Sequence, residues 1–278
     1  MIWVDGRIVE AERLALPMTD RIFEHGLGLF ETFRTWDGQA RLLGRHLDRM
    51  RRSAHALGIS LDDGSLPTLK DVGRLLDANH SLPDSLVRLT ASAGRAPDLR
   101  STPWMTVAPL PAPPPRHGQR VVDAPWTVSV DDPLARHKTL NYWSKRIAHE
   151  QAQASGADEA VFSSGDGRIW EASRGNLFVI LGRDLVTSPE SGPIVPGIMR
   201  RLVLDRAGPC GFSVAEADLD GAMIGAADEI FLTNSVRGLI PVGRWSGRDY
   251  RPTDPTFPTT SRLQAALLAQ LTPASPQV

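Results

Sequence analysis

The chain has 278 residues, enough for a large core and two domains, and its 31 basic and 32 acidic residues leave a formal net charge of −1. This balance gives no field that favours nucleic acid or a membrane, so we expect small-molecule partners. A single cysteine, Cys210, excludes an internal disulfide and a cysteine-based zinc site, and no apolar run is long enough to span a bilayer, so we expect a cytoplasmic protein.

Two β-hairpins are predicted near the start of the chain. Ile2 to Val9 contains the strong turn signal Asp5-Gly6 between two short apolar runs. A second turn signal, Asp37-Gly38, lies between Leu29–Trp36 and Ala40–Leu43, so these two runs are predicted to pair.

The clearest predicted helix covers residues 44–58. Apolar residues recur at spacings of three and four along it, at Leu43, Leu47, Met50, Ala54 and Leu57. Arg45, Arg49 and Arg52 form a different stripe, which is either a solvated basic face or an anion site. A further helix is predicted at 68–79, and strands at 86–91 and 104–108.

The proline-rich run PLPAPPPR at 109–116 breaks all regular structure and marks the expected domain junction. We therefore expect an N-terminal domain at 1–112, a linker at 113–120 and a C-terminal domain at 121–278.

The segment HKTLNYW, residues 137–143, carries a lysine at the start of a predicted helix. Asn141 is a favourable N-cap, so Lys138 is expected in the loop just before that helix. Positive charge crowds around it at Arg136, His137 and Lys145, and such crowding with partial burial lowers the pKa of an amine toward the nucleophilic range. The segment is therefore either a Schiff-base lysine or one of many surface lysines.

Short strands joined by hairpin turns follow between residues 158 and 189. Alternation places Glu171 on one face with Ile169 and Ser173, so its carboxylate is either exposed or buried for a reason. Pro196 begins a predicted helix that ends near Ala207. The free amides of its first turn suit a phosphate, although many helix starts bind nothing.

The motifs GLFETFR, HKTLNYW, EASRGNLF, PGIMR and FLTNSVRGLIPV, in this order and at these separations, resemble the class IV aminotransferases. These are the fold type IV enzymes that use pyridoxal 5'-phosphate (PLP), and the resemblance covers most of the chain. It implies an α/β (α+β) fold of two domains, a small N-terminal α/β domain and a larger C-terminal pseudo-barrel domain that carries the PLP lysine. It also implies a homodimer, and no metal.

The resemblance assigns cofactor roles to individual residues. Lys138 matches the lysine that forms the Schiff base with PLP and carries the substrate proton. Glu171 matches the glutamate that binds the pyridine nitrogen and keeps it protonated. Val195 matches the aliphatic residue that supports the ring face. Tyr142 matches a tyrosine on the cofactor's phenolic oxygen, but a buried tyrosine that packs on the next helix is an equal alternative.

Phosphate-binding residues also follow from the resemblance. Arg49 matches the phosphate-binding arginine, Ile198 and Met199 match the backbone amides at a helix start, and Asn234 and Ser235 match a second phosphate-binding turn. Met199 stands where relatives often have threonine, so one side-chain contact to phosphate is missing.

Substrate-binding residues depart from the family pattern. Phe30 stands where D-amino-acid aminotransferases have tyrosine, and the loop ASAGRAPDLR lacks the histidine of their carboxylate-binding pair. Arg34, Arg95 or Arg100 is therefore expected to bind the substrate carboxylate. Thr32 matches a threonine close to the reacting group in the lyase branch of the family.

We predict a transaminase that acts on D-amino acids or R-amines with an α-keto acid such as pyruvate or 2-oxoglutarate. The alternative is 4-amino-4-deoxychorismate lyase, which releases pyruvate and gives 4-aminobenzoate. A catalytically silent relative is disfavoured because Lys138 and Glu171 are both retained. A nucleotide-dependent oxidoreductase is disfavoured because the pair Gly26 and Gly28 lacks the third glycine of a dinucleotide loop.

Overall fold

The computed structural model describes residues 1–97, 99–250 and 257–271. The chain divides into two compact units. The first comprises Met1–Pro111 with His137–Asn141, and the second comprises Ala112–Arg136 with the chain from Tyr142 onward. The structure has the mixed α/β architecture predicted from the sequence, with a small sheet unit and a larger barrel-like unit.

The first unit is an antiparallel sheet with helices packed on one face. Its elements are β1 (Ile2–Val4), β2 (Arg7–Val9), α1 (Arg21–His25), β3 (Gly28–Arg34), α2 (Leu43–Ala56), α3 (Leu69–Ala78), β4 (Ser85–Ser92) and β5 (Pro103–Pro109). The sheet order is β2-β1-β5-β4-β3. Val87, Leu89 and Met105 are fully buried and pack in one core with the apolar stripe of α2. This core orients the opposite faces of β3 and β4 away from the helices, because successive strand residues alternate.

The first predicted hairpin is present and the second is not. β1 pairs with β2 across Asp5-Gly6, where φ is 43° and 80°. At Asp37-Gly38 the chain turns and Trp36 forms a single antiparallel bridge with Gln39, but β3 pairs along its length with β4. The predicted strand Ala40–Leu43 was wrong, because α2 begins at Leu43 and both Ala40 and Leu43 are buried in the core between the sheet and the helices, at 2% and 3% exposure.

The Lys138 segment, residues 137–141, groups with the first unit. Thr139 forms a β-bridge with Leu29, so the segment extends the sheet edge at β3. The domain limits at 1–112, 113–120 and 121–278 stay a prediction.

The second unit contains a closed barrel. Its elements are β6 (Gln119–Asp123), α4 (Trp143–Ala154), β7 (Glu159–Ser163), β8 (Ile169–Ala172), β9 (Gly175–Leu181), β10 (Asp184–Thr187), α5 (Ile198–Ala207), β11 (Ser213–Glu216), α6 (Gly221–Ala226), β12 (Glu229–Asn234), β13 (Gly238–Trp245), β14 (Arg248–Asp249) and α7 (Pro258–Leu271). The ring runs β8-β9-β12-β13-β6-β7 and closes because β7 also pairs with β8. Apolar residues from every strand of the ring, such as Val121, Leu177 and Ile240, form one buried cluster.

Helix α4 differs from its prediction at its N-terminus. It begins at Trp143 with Tyr142 at the N-cap, and no side chain caps it, so Asn141 is not the cap. Trp143 and Ile147 are exposed, at 69% and 37%. The buried face carries small residues such as Ala148, because a helix packed directly on β7 has little room for large side chains. No helix in the described part of the chain is long and apolar enough to cross a membrane.

Candidate active site

Lys138 is held on both sides by backbone hydrogen bonds to β3. The Phe30 N–H donates to the carbonyl of Lys138 over 3.0 Å, and the Leu140 N–H donates to the carbonyl of Gly28 over 2.9 Å. A Cβ at Gly28 would lie 2.7 Å from the Leu140 side chain, so glycine permits this close approach. The lysine therefore lies in a loop before α4, as predicted, and its backbone position is fixed.

The amine of Lys138 lies over the face of β3 that points away from the helices. Its Nζ is 4.2 Å from the centroid of the Phe30 ring, and Cζ of Arg88 is 3.9 Å from the same centroid. Thr32 lies two residues beyond Phe30 on that face and directly opposite Arg88 in the β3–β4 register. Phe30, Thr32 and Lys138, each predicted for the site, are thus neighbours, and Arg88 joins them.

The opposite face of β3 carries a buried ion pair. Arg49 donates to Glu31 from Nε over 2.8 Å and from Nη2 over 2.5 Å, and Nδ1 of His46 lies 2.7 Å from Oε2 of Glu31. Burial by itself raises the pKa of Glu31, but the charge and hydrogen bond of Arg49 and the hydrogen bond of His46 outweigh it and lower it to about 2. Glu31 is therefore ionised at neutral pH.

His46 is fully buried beside Glu31. Burial lowers the pKa of His46, the hydrogen bond and charge of Glu31 oppose that change, and the charges of Arg49 and Lys138 lower the pKa further. The ring is therefore neutral at pH 7, with the proton on Nδ1, which donates to the carboxylate. Nε2 has no hydrogen-bond partner within the described residues.

Arg49 is distinguished from the other arginines of its stripe. It is 5% exposed, whereas Arg45 and Arg52 are exposed on the surface of α2. The solvated basic face predicted as one alternative thus accounts for Arg45 and Arg52 but not for Arg49. The predicted role of Arg49 toward phosphate stays a prediction.

The arginines predicted to bind the substrate carboxylate lie elsewhere in the first unit. Arg34 donates to Asp84 over 2.5 Å and stacks on Trp36, with its Cζ 3.8 Å from that ring centroid. Arg95 and Arg100 line a cavity of about 340 Å³. Arg88 is therefore the arginine that the structure places at the Phe30 ring with Lys138.

Glu171 is buried in the second unit and makes charged and neutral contacts. Lys145 Nζ lies 2.5 Å from its Oε1. Its Oε2 accepts hydrogen bonds from Val195 N over 3.0 Å and from Asn176 Nδ2 over 3.1 Å. The carboxylate is 4% exposed, which resolves the two alternatives left by the sequence in favour of a buried group.

The start of α5 lies against the same network. Gly197 is the N-cap and no side chain caps the helix, so the first amides, including those of the buried Ile198 and Met199, are not capped by a side chain. A Cβ at Gly197 would lie 2.0 Å from Asn176 Oδ1, so only glycine permits this contact. The amides and the dipole of a helix start favour an anion such as phosphate.

The remaining predicted residues lie in adjacent turns of the second unit. Tyr142 donates from its hydroxyl to the carbonyl of Ser173 over 2.6 Å. Asn234 accepts bonds from the backbone amides of Val236 and Arg237 over 3.1 and 2.8 Å, which orders the turn that contains Ser235.

The chemistry of the second unit fits a ligand with a basic ring nitrogen and a phosphate. A buried carboxylate favours a protonated nitrogen, and an uncapped helix start favours a dianion. No group of metal-binding side chains occurs among the residues that the structure describes.

Comparison with known proteins identifies the family of this chain. A family model described as amino-transferase class IV matches residues 28–245. The chain is 29% identical over 257 residues to a putative branched-chain-amino-acid aminotransferase of Methanocaldococcus jannaschii, covering 89% of this chain and 88% of that protein. It is 27% identical over 271 residues to a D-alanine aminotransferase of Bacillus licheniformis, covering 95% and 94%. It is 28% identical over 254 residues to an aminodeoxychorismate lyase of Bacillus subtilis, covering 87% and 85%.

Among solved structures, a fold IV transaminase from Curtobacterium pusillum matches with a TM-score of 0.82 and 27% identity, over 94% of this chain and 90% of that one. The chain therefore belongs to the class IV aminotransferases. It is an enzyme of this PLP-dependent family, whose aminotransferases act on amino acids and keto acids. The relatives carry three different activities, and identity is similar to all three.

Three neighbours of the predicted residues were missed by sequence reasoning. Arg88 alternates with buried residues in β4, and a charged residue in the middle of a core strand was the available signal. Lys145 lies one helical turn after Tyr142, so helical spacing placed them on one face. Asn176 is opposite Glu171 in the β8–β9 register, and no local pattern in the sequence indicates that contact.

Proposed function

We propose that this enzyme is a PLP-dependent transaminase that transfers an amino group between a D-amino acid, or an R-amine, and an α-keto acid such as pyruvate or 2-oxoglutarate. The observation that carries the proposal is the fixed lysine. Backbone hydrogen bonds join the Lys138 segment to β3 on both sides of the lysine. The Lys138 amine and the Arg88 guanidinium both contact the Phe30 ring. A rigidly held amine beside a positive charge is suited to covalent and proton-transfer chemistry.

Each proposed role follows from the position of a side chain. Lys138 would hold the cofactor covalently through its amine, and the same amine, once free, would carry the substrate's α-proton. PLP, when bound, supplies the electron sink for the electrons that this proton leaves behind. Glu171 holds a proton on the ring nitrogen, because a buried carboxylate stabilises a nearby cation.

Phosphate binding is proposed for the remaining polar groups. Arg49 supplies a positive charge, while the amides of Ile198 and Met199 and the turn of Asn234 and Ser235 supply hydrogen-bond donors. Val195 is proposed to support the ring face, and Tyr142 to contact the cofactor's phenolic oxygen.

We propose Arg88 as the residue that binds the substrate carboxylate. Its guanidinium lies at the ring that also contacts the Lys138 amine, whereas Arg34 is bound to Asp84. Arg88→Met should raise KM for amino acids by at least tenfold and leave KM for an R-amine without a carboxylate nearly unchanged, because only the former loses an ion pair. Arg34→Met is the matched control. Equal effects of Arg88→Met on both substrates would reject the assignment.

The preference for D-amino acids is supported by the D-alanine aminotransferase relative. A second candidate activity is 4-amino-4-deoxychorismate lyase. It is supported by Thr32, which shares the face of β3 with Phe30, and by the lyase relative. We also propose a cytoplasmic homodimer, to be checked by light scattering on the purified protein.

The cofactor assignment is tested first. Purified protein with added PLP should be yellow, should lose that colour on borohydride reduction, and should carry the reduced label on the peptide that contains Lys138. Lys138→Ala should bind PLP without the covalent label and lose activity. Protein that stays colourless in the presence of PLP would reject the enzyme assignment.

The two reactions are then separated without a second substrate. D-alanine alone should change the absorption band of the bound cofactor, while L-alanine should change it much more slowly. A faster change with L-alanine would reject the D-preference. No change with either amino acid, together with pyruvate release from aminodeoxychorismate, would establish the lyase.

A further inference from the structure

A second lysine contacts the carboxylate that we assign to the cofactor's ring nitrogen. Lys145 Nζ lies 2.5 Å from Oε1 of Glu171, and the two side chains are 22% and 5% exposed. A charge-assisted contact between partly desolvated groups is stronger than a neutral hydrogen bond. Glu171 thus has a cationic partner in the protein itself.

The other oxygen of Glu171 is fixed by neutral donors. Oε2 accepts from Val195 N and Asn176 Nδ2, and the same Asn176 amide donates to the carbonyl of Val195 over 2.9 Å. Asn176 is itself fixed by the β8–β9 register and by Gly197, which abuts its Oδ1. The carboxylate is therefore held in one orientation, in which Oε1 meets Lys145.

We propose that Lys145 is a positioning residue that competes with the cofactor's ring nitrogen for Glu171. The inference rests on the proposed PLP site. A protonated ring nitrogen and an ammonium group are both cations, and a single buried carboxylate balances one positive charge. In the cofactor-free protein Lys145 supplies that positive charge beside Glu171. When the cofactor is bound, its ring nitrogen takes over this balance and the ammonium moves toward solvent.

The chemistry of lysine suits this exchange. Its ammonium is a strongly hydrated point charge on a flexible stem, and the side chain of Lys145 already reaches the surface. A side chain that can reach water gives up its partner at a lower cost than a fully enclosed one. A purely structural ion pair predicts instead that cofactor affinity does not depend on Lys145.

The test measures binding rather than turnover. Pyridoxamine 5'-phosphate is the probe, because it cannot form a covalent bond with Lys138, and its affinity for the full-length cofactor-free protein is measured by titration calorimetry. Lys145→Met should bind the probe about tenfold more tightly than the wild type, since a competing charge-assisted bond is removed. Lys145→Arg should restore the competition, and Lys145→Gln should fall between them.

Two further variants separate the possible explanations. In the Glu171→Gln background, Lys145→Met should leave the affinity unchanged. Arg146→Met is the matched control on the same helix, because it removes only an exposed pair with Glu150, and it should also leave the affinity unchanged. The ion pair is checked independently of any cofactor by a double-mutant cycle of Lys145 and Glu171 on the stability of the cofactor-free protein.

Each outcome decides the inference. Affinity that is unchanged in Lys145→Met would reject the competition and leave a structural ion pair. Affinity lost in Lys145→Met as fully as in Glu171→Gln would make Lys145 a direct cofactor ligand and reject the competition as well. A wild-type protein that binds neither PLP nor the probe would reject the proposed function and this inference together, even if the double-mutant cycle shows coupling.

Discussion

Two buried carboxylates, one in each unit, are paired with cations in different ways. Glu31 is bound by both arms of the Arg49 guanidinium and by His46, and all three side chains are at most 6% exposed. Glu171 is bound by two neutral donors and by one lysine whose side chain is 22% exposed. The first arrangement is enclosed, and the second has one partner that reaches the surface.

The two carboxylates differ in how readily they can exchange their cationic partner. A planar guanidinium that makes two parallel bonds fixes its carboxylate and gives it up only at the cost of leaving a charge buried. A lysine makes one bond and can move its charge to water. We therefore infer that Glu31 fixes the position of α2 on β3, and that Glu171 is available to a ligand.

The largest expected effect separates the two carboxylates directly. Glu31→Gln should destabilise the first unit by about 3–5 kcal/mol, because the buried Arg49 loses the carboxylate that accepts both of its charge-assisted bonds. Glu171→Gln should cost the second unit clearly less, since Lys145 can turn to solvent. Amide hydrogen exchange in β3 and in β9 of the cofactor-free protein reports the two units separately. Equal losses would remove the distinction between an enclosed and an exchangeable pair.

A substitution that keeps the charge tests the geometry of the enclosed pair. Arg49→Lys should destabilise the first unit by about 1.5–3 kcal/mol, because a lysine cannot make two parallel bonds to Glu31. It should also weaken PLP binding about tenfold if Arg49 binds phosphate. Arg52→Lys, at an exposed position of α2, is the control. Weaker stability with unchanged PLP affinity would show that a different group holds the phosphate.

Asn176, one of the neutral partners of Glu171, is tested through Gly197, which it contacts. Gly197→Ala places a Cβ 2.0 Å from Asn176 Oδ1, so Asn176 must move and loosen its bond to Glu171. We expect a loss of about 1–3 kcal/mol in the stability of the second unit, from overpacking, and weaker PLP binding. Gly221→Ala is the matched control, because a Cβ there meets nothing within 4 Å. A tolerated Gly197→Ala would show that Asn176 does not need this position.

The smallest expected effect is a pH dependence confined to the first unit. The pKa of His46 is lowered from 6.5, so the unfolded chain takes up this proton first and stability decreases as pH falls below 6.5. The pKa of Glu31 is lowered from 4.5 to about 2, so its contribution is complete above 4.5 and is lost as pH falls from there toward 2.

The control for the first step is His46→Asn, which keeps a donor for Glu31 but does not titrate. Exchange of the β3 amides measured between pH 6.5 and 5 should become less dependent on pH in this variant than in the wild type. The same slope in both proteins would mean that His46 is not the group that titrates.

Much of the fold could be read from local patterns. The stripe of α2, the helix α3, the turn at Asp5-Gly6 and the short strands between residues 158 and 189 appear where the sequence predicted them. These patterns depend on residues at most a few positions apart, whose side chains share a face or a turn. The strand predicted at Ala40–Leu43 is absent, because a short apolar run at the start of a helix cannot be distinguished from a strand by its spacing alone.

The sequence predicted some residues of the candidate site and missed others, because only short motifs can be recognised in the sequence. The motifs that resemble the family identified Lys138, Phe30 and Thr32, and the structure brings these together on one face of β3. Arg88 and Lys145 were missed as partners, because their contacts join residues far apart in the chain.

The sequence by itself determined the class of this enzyme, the fixed lysine before α4 and the helix that begins at Ile198, because each depends on residue types in a short, ordered motif. Only the tertiary structure decided that the Lys138 segment joins the first unit and that α4 buries its alanines. It alone also decided that Arg49 pairs with Glu31 and that Lys145 pairs with Glu171. Those outcomes depend on strand register and on the space left between packed elements, which no local pattern specifies.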